Sequence, residues 1–333
     1  MFGLISQLAH VELQSPRPND SVDFFKDVLG FAETGRDGQS VYLRAWGDAF
    51  HHSLVITEAD APGIAHVGWR SAGAEQLETA ARRIEQAGLG EGWADPVTGH
   101  GRAYRYRTPG GHLNEIFWEV ERYRAPEAQR SALPIRPQRQ VFAGAAPRQI
   151  DHVTMATPCM NEQIAFQREV LGSRFMECTV MSMDDEAPFF AEVSNNEQGH
   201  DIGLIVDRSG GTGRTHHVAF WFDQMVDVFR AADALVENGV HIEFGPGRHG
   251  HGENTFLYFR EPGGFRIEFF SGGYRNYQPD WEPVRWLVDT GGVDLYCNHA
   301  APDTMLEVFP PETSPAAAVA YGGANPWSYA SVT

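Results

Sequence analysis

The chain has 333 residues, enough for one large domain or two ordinary ones, and its 42% hydrophobic and 21% charged content is that of a globular protein with a sizeable core. A formal net charge of −18 argues against a nucleic-acid partner, which needs a basic face, and against docking on an anionic membrane. There is no apolar run long enough to span a bilayer and no basic-then-apolar leader in MFGLISQLAHVEL. Cys159, Cys178 and Cys297 form no CxxC pair, so a cytoplasmic protein with reduced thiols is expected.

In chain order, a short strand with alternating apolar residues carries His10. An amphipathic helix over Ser21 to Val28 follows and stops at Gly30. Two or three strands lead to a second helix over Glu75 to Ala87, and the last strand holds Glu115. The stretch 125–147, rich in Pro, Arg and Gln, reads as a linker between residues 1–124 and 148–272. The same order then returns: a strand with His152, a helix over Asn161 to Val170 stopping at Gly172, a helix over Gln224 to Glu237, and a strand with Glu268. An aromatic-rich tail, 273–333, closes the chain.

The two halves are a tandem repeat. The segment from Gln7 aligns without a gap on the segment from Gln149 at an offset of 142, placing His10 on His152 and Val28-Leu29-Gly30 on Val170-Leu171-Gly172. His66-Val67 falls on His217-Val218. Glu115 falls on Glu268, since each lies six residues after its matching proline, Pro109 or Pro262.

In the second half His152, His217 and Glu268 are polar residues set in apolar strands, a costly placement without a partner. One strand histidine by itself is more often a hydrogen-bonded core residue. Three such residues at corresponding places of a duplicated frame point instead to a two-histidine, one-carboxylate metal site that leaves positions open for reactants. Of the adjacent pair His216 and His217, strand alternation is expected to send the two to opposite faces.

The run Gly247-Arg248-His249 to Tyr258, Pro262, Gly263-Gly264 and Glu268 resembles the signature of type I extradiol ring-cleaving dioxygenases of the vicinal oxygen chelate superfamily, nearest the catechol and homoprotocatechuate 2,3-dioxygenase branch. The resemblance covers nearly the whole chain. With it, the fold is expected to be α+β: tandem βαβββ modules, four units in all, forming two open-barrel domains of the glyoxalase and bleomycin-resistance type. It implies His152, His217 and Glu268 as ligands of Fe(II), with Mn(II) also compatible, and extradiol cleavage of a catechol-type diol by O2. It assigns His200 as the histidine that passes a proton, and His249 and Tyr258 as groups that bond substrate oxygens. The family's HHV motif selects His217 over His216, and a homo-oligomer, a tetramer above all, is implied.

In the first half His10, His66 and Glu115 repeat the ligand pattern, and His51 echoes His200. Arg105 stands where Tyr258 does and Pro96 where His249 does, so this module is expected to lack the surrounding groups and to be catalytically silent, with about one iron per chain, while a second metal at His10, His66 and Glu115 stays open. Phe244 stands where relatives acting on homoprotocatechuate tend to carry arginine, which favours a neutral or apolar catechol, although Arg275 or Arg285 of the tail offers a cation for an anionic substituent. The tail is expected either to cover the site or simply to pack against the barrel or a neighbouring subunit. Two rival readings are a glyoxalase-type isomerase, which usually adds a fourth protein ligand, and an aromatic- or antibiotic-binding protein, which typically loses the metal ligands.

Overall fold

A computed structural model of the chain describes residues 3–141, 143–296 and 300–311. Each module is two βαβββ units in sequence. The first unit is β1 (Ile5–Ser15), α1 (Pro18–Asp23), β2 (Ala32–Asp37), β3 (Ser40–Arg44) and β4 (Leu54–Glu58). The second is β5 (Gly63–Ser71), α2 (Ala74–Gln86), β6 (Gly90–Ala94), β7 (Ala103–Arg107) and β8 (Leu113–Phe117). The third is β9 (Gln149–Thr157), α3 (Met160–Ala165), β10 (Arg174–Val180), β11 (Phe190–Ser194) and β12 (Ile202–Val206). The fourth is β13 (Arg214–Phe222), α4 (Met225–Glu237), β14 (Ile242–Arg248), β15 (Asn254–Arg260) and β16 (Arg266–Gly272).

The strands form two sheets, in the orders β2-β3-β4-β1-β5-β8-β7-β6 and β14-β15-β16-β13-β9-β12-β11-β10-β17, where β17 is Val284–Leu287. In each sheet the first strands of the two units pair antiparallel at the centre, β1 on β5 and β9 on β13. The histidines of those strands are thereby brought face to face, while β8 and β16 lie parallel to β5 and β13 and bring the glutamates alongside.

The helices expected from Ser21 and Asn161 are short α-turns that widen into a π-turn, with Leu29 N–H donating to Phe24 O (3.1 Å) and Leu171 N–H to Phe166 O (3.3 Å). Gly30 and Gly172 then take φ of 73° and 77°, the left-handed cap that lets each chain leave its helix. The apolar faces of α2 and α4 bury Leu77, Ala80, Ala81 and Ile84, and Val228, Ala231, Ala232 and Leu235. One continuous core runs through both modules: the Phe220 ring meets Phe31 edge to face at 5.0 Å and Phe25 at 6.3 Å.

The tail adds structure that the sequence pattern did not show. Residues Val284–Leu287 extend the second sheet as β17, parallel to β10. Trp281 donates its indole N–H to Met176 O (2.9 Å) and Trp286 to Glu177 Oε2 (2.7 Å), so the described part packs against the barrel. Val293 and Met305 of the same tail also wall the cavity of the second module, so the segment both packs and encloses. Cys297 and everything after residue 311 lie outside the described residues.

Candidate metal centre and active site

His152 Nε2, His217 Nε2 and Glu268 Oε2 converge. Each imidazole nitrogen lies 2.9 Å from the carboxylate oxygen, and the two nitrogens are 3.3 Å apart. A cation bonded at about 2.0–2.2 Å holds neighbouring donor atoms roughly 3.0–3.4 Å apart, so the set is already spaced for one ion. The other Glu268 oxygen is buried and has no hydrogen-bond partner, as have Glu192 Oε2 and Asn254 Oδ1 in the same cavity. A two-histidine, one-carboxylate donor set with unsatisfied acceptors facing an open side fits a divalent ion such as Fe(II) or Mn(II).

The tautomer of each histidine is fixed from behind. His152 Nδ1–H donates to Asp151 Oδ2 (2.9 Å), leaving Nε2 bare. His217 uses a longer relay. His216 donates Nε2–H to Met305 O (2.7 Å), so its Nδ1 is an acceptor, and it lies 2.6 Å from His217 Nδ1. His217 therefore donates from Nδ1 and offers Nε2 to the site. Simple alternation of the two histidines fails here. The β9–β13 register skips His216 between Thr215 and His217, a bulge that lets both rings face the same cavity.

Burial alone would raise the Glu268 carboxyl, but the adjacent His152 and His217 outweigh it and hold it well below the usual range. Burial also opposes a charge on His152, yet Glu268 and Asp151 together raise it. His217 is pushed down to about 4, chiefly by burial.

The cavity above these atoms is walled on its apolar side by Phe190, Ile205, Val293 and Met305. The structure brings the other three residues singled out in the sequence to its edge. The His200 ring lies 4.3 Å from the His152 ring. Burial and the nearby His152 keep His200 well below its ordinary pKa, as a neutral imidazole. Tyr258 donates its hydroxyl proton to His249 Nε2 (3.0 Å), because His249 spends its Nδ1–H on Val293 O, and the His249 ring stacks on Phe256 at 3.8 Å. Burial and the Glu268 charge raise the Tyr258 phenol well above 10, so it stays a donor.

Two site residues escaped the sequence reading. Glu192 Oε1 sits 3.4 Å from His200 Nδ1, and burial followed by the Glu177 charge raises its carboxyl well above the ordinary range, making it a neutral partner of His200. His251 lines the cavity with Nε2 2.8 Å from Thr179 Oγ1. Its place in the Gly250-His251-Gly252 stretch beside His249 was the available signal. Of the two tail arginines offered for an anionic substituent, Arg285 gives its Nη2 to the carbonyls of Met183 and Asp185 at the surface, and neither arginine lines the cavity. Phe244 packs behind Tyr258 and Phe256, with its ring 4.8 Å from Phe256.

The first module departs from expectation at two places. The counterpart of His200 is His52, not His51: β4 pairs with β1 as β12 does with β9, and the His52 ring lies 5.0 Å from the ring of His10. Counting back from the matched glutamates placed Pro96 at the position of His249, but the loop after β6 is built differently. It delivers His100, whose Nε2 is 3.0 Å from Glu115 Oε1.

Paired βαβββ modules around a buried two-histidine, one-carboxylate set define a metal site of the vicinal oxygen chelate class. The chain belongs to the Glyoxalase/Bleomycin resistance protein/Dioxygenase superfamily, whose family profile matches residues 7–116 and 149–269. It is 38% identical over 290 residues to a manganese-dependent 2,3-dihydroxybiphenyl 1,2-dioxygenase of Geobacillus genomosp. 3, covering 86% of this chain and 91% of that protein. It is 37% identical over 304 residues to a metapyrocatechase of Geobacillus stearothermophilus, covering 90% and 92%. Among solved structures it superimposes on the 2,3-dioxygenase LapB from Pseudomonas sp. KL28 with a TM-score of 0.79 at 30% identity, covering 86% of this chain and 99% of that one. It also matches the anaerobic 3,4-dihydroxyphenylacetate complex of homoprotocatechuate 2,3-dioxygenase from Brevibacterium fuscum, with a TM-score of 0.80 at 26% identity over 91% and 92% of the two chains.

Proposed function

We propose that this chain opens a catechol-type aromatic ring by extradiol cleavage with both atoms of O2, using His152, His217 and Glu268 as metal ligands and His200, His249 and Tyr258 around the substrate. The observation that carries the reading is the convergence of three donor atoms at 2.9–3.3 Å beneath a cavity edged by those three residues. The activity, extradiol dioxygenase, agrees with the names of the relatives, and the metal is Fe(II) or Mn(II).

When bound, the ion supplies a Lewis-acid centre on which a catecholate and O2 meet, with a path for electrons between them. The protein does the rest. Neutral His200 accepts a proton at an imidazole nitrogen when the diol binds and returns one to oxygen during cleavage, with Glu192 behind its other nitrogen. Tyr258 and His249 form a hydrogen-bonded pair at the cavity edge, from which Tyr258 can turn its O–H to a substrate oxygen and fix the ring's orientation. The walls Phe190, Ile205, Val293 and Met305 seat an aromatic ring and keep water out.

No arginine or lysine lines the cavity among the described residues, and Phe244 stands behind Tyr258, which supports a neutral or apolar catechol over a carboxylated one. The division into an N-terminal module, a linker over 125–147, a C-terminal module that carries the chemistry, and a tail belongs to the same reading. So does a cytoplasmic homo-oligomer, tetramer favoured, working without nucleic acid or membrane. The charge of −18 supports the absence of a nucleic-acid or anionic-membrane partner; no described helix is long and apolar enough to cross a membrane. The test is anaerobic loading with Fe(II) or Mn(II) followed by a panel of neutral and carboxylated catechols with O2. Yellow ring-fission product, formed fastest from the neutral members, is expected. No product from any catechol by the fully loaded protein would overturn the reading.

A further inference from the structure

The first module holds a second cluster that the ring-cleavage reading does not use. His10 Nε2 lies 3.0 Å from His66 Nε2 and 3.4 Å from Glu115 Oε1. His66 Nε2 is also 3.4 Å from that oxygen, and His100 Nε2 is 3.0 Å from it. Four donor atoms from β1, β5, β8 and the loop before β7 therefore gather about Glu115 Oε1, and those of His10, His100 and Glu115 all lie within 4.8 Å of one another, close enough to share a cation. His10, His100 and Glu115 are buried.

The protons show why a cation belongs there. His66 donates Nδ1–H to Glu12 Oε2 (2.8 Å) and His100 donates Nδ1–H to Gly101 O (2.8 Å). Both rings therefore present Nε2 to the cluster. A neutral imidazole has only a lone pair there, aimed at a carboxylate oxygen or at another ring nitrogen. A proton added on His66 is offset by Glu12 and Glu115, but it leaves the bare Nε2 of His100 facing the same Glu115 oxygen. One divalent cation between them serves these donors together.

The cluster is not a worn copy of the catalytic one. His66 is oriented by Glu12, where the second module uses His216 from the bulge. His100 falls on Glu253, not on a histidine, when the two halves are matched at their glutamates. The His10 ring also lies against Gly68, where a Cβ would come within 2.2 Å of it, so the strand leaves room for this ring. Arg105 replaces the tyrosine and gives its Nε to Glu115 Oε2 (3.3 Å), tying back the oxygen that the second module leaves free.

We propose that the first module binds a second divalent transition-metal ion, with the coordination character of Zn(II), through His10, His66, His100 and Glu115. Four protein ligands fill a tetrahedral shell, so the ion is structural: it clips the loop that carries His100 onto the central strands. The inference is independent of the proposed reaction.

The test is metal content. Full-length protein is stripped with chelator, loaded with Zn(II), desalted and measured by mass spectrometry. Two equivalents are expected for the wild type, one for His152→Ala/His217→Ala and one for His10→Ala/His100→Ala. If the second variant does not fold, the first decides alone: one retained equivalent supports the site, and none overturns it. The same His152→Ala/His217→Ala variant loaded with Co(II) should show the intense visible bands of four-coordinate cobalt, and weak six-coordinate bands would overturn the closed shell.

Discussion

The Nδ1 atoms of His216 and His217 lie 2.6 Å apart at the bulge in β13, and the far side of His216 is anchored on Met305 O at 2.7 Å. A backbone carbonyl of the tail thus sets the tautomer of a candidate metal ligand at the centre of the sheet. Arg266, wholly buried, holds that tail in place through Glu307 O (2.9 Å) and reaches His216 O at 3.2 Å.

Replacing His216 with Ala removes the acceptor for His217 Nδ1–H and frees that ring to turn. Groups that orient ligands in this way are typically worth about 10–100-fold in metal affinity. The His216→Ala variant should bind Mn(II) more weakly by that factor in a chelator competition, with its fold intact by circular dichroism. Undiminished affinity would remove His216 from this positioning role.

The His200→Phe variant should bind catechol with near-normal affinity and turn it over about 10²–10⁴-fold more slowly, the usual worth of a positioned proton carrier. Substrate binding followed anaerobically by absorbance, beside steady-state oxygen uptake, separates the two effects. Unchanged turnover would exclude His200 from proton transfer.

Glu192 faces His200 Nδ1 at 3.4 Å as a neutral acid. Glu192→Gln keeps a polar group there, whereas Glu192→Leu leaves His200 without a partner. The expected order of kcat is wild type, then Gln, then Leu, with Leu lower by about 10-fold or more. Equal rates for Gln and Leu would show that Glu192 does not act through hydrogen bonding.

Glu243 joins Arg266 by two contacts of 2.9 and 3.0 Å, and Arg260 by another of 2.9 Å. Burial opposes the Glu243 charge, but the two guanidinium groups outweigh it and hold the carboxyl well below its ordinary 4.5. A depressed carboxyl contributes stability above its unfolded pKa and loses it as pH falls through the folded one. Glu243→Gln strands a buried arginine and should cost about 3–5 kcal/mol at neutral pH. The gap to wild type should narrow as pH drops below about 4.5. Parallel denaturation curves from pH 7 to pH 3 would contradict this.

Fold, module repeat and the positions of the three converging side chains were legible in the chain because each is written in local order. Period-two strands, helices that end at Gly30 and Gly172, and one polar residue in each apolar strand repeat at a fixed spacing. What depends on register and on distant segments was not legible. A bulge turned His216 toward the site, and a loop of different build brought His100 rather than Pro96 to Glu115. Pairing with β1 put His52, not His51, beside His10. Glu192 and the Met305 carbonyl acquire their roles only through contacts with residues far from them along the chain or across the sheet. Local periodicity follows from the backbone's own geometry, whereas the partner of a buried polar atom is chosen by whichever segment the closed barrel leaves within hydrogen-bond reach.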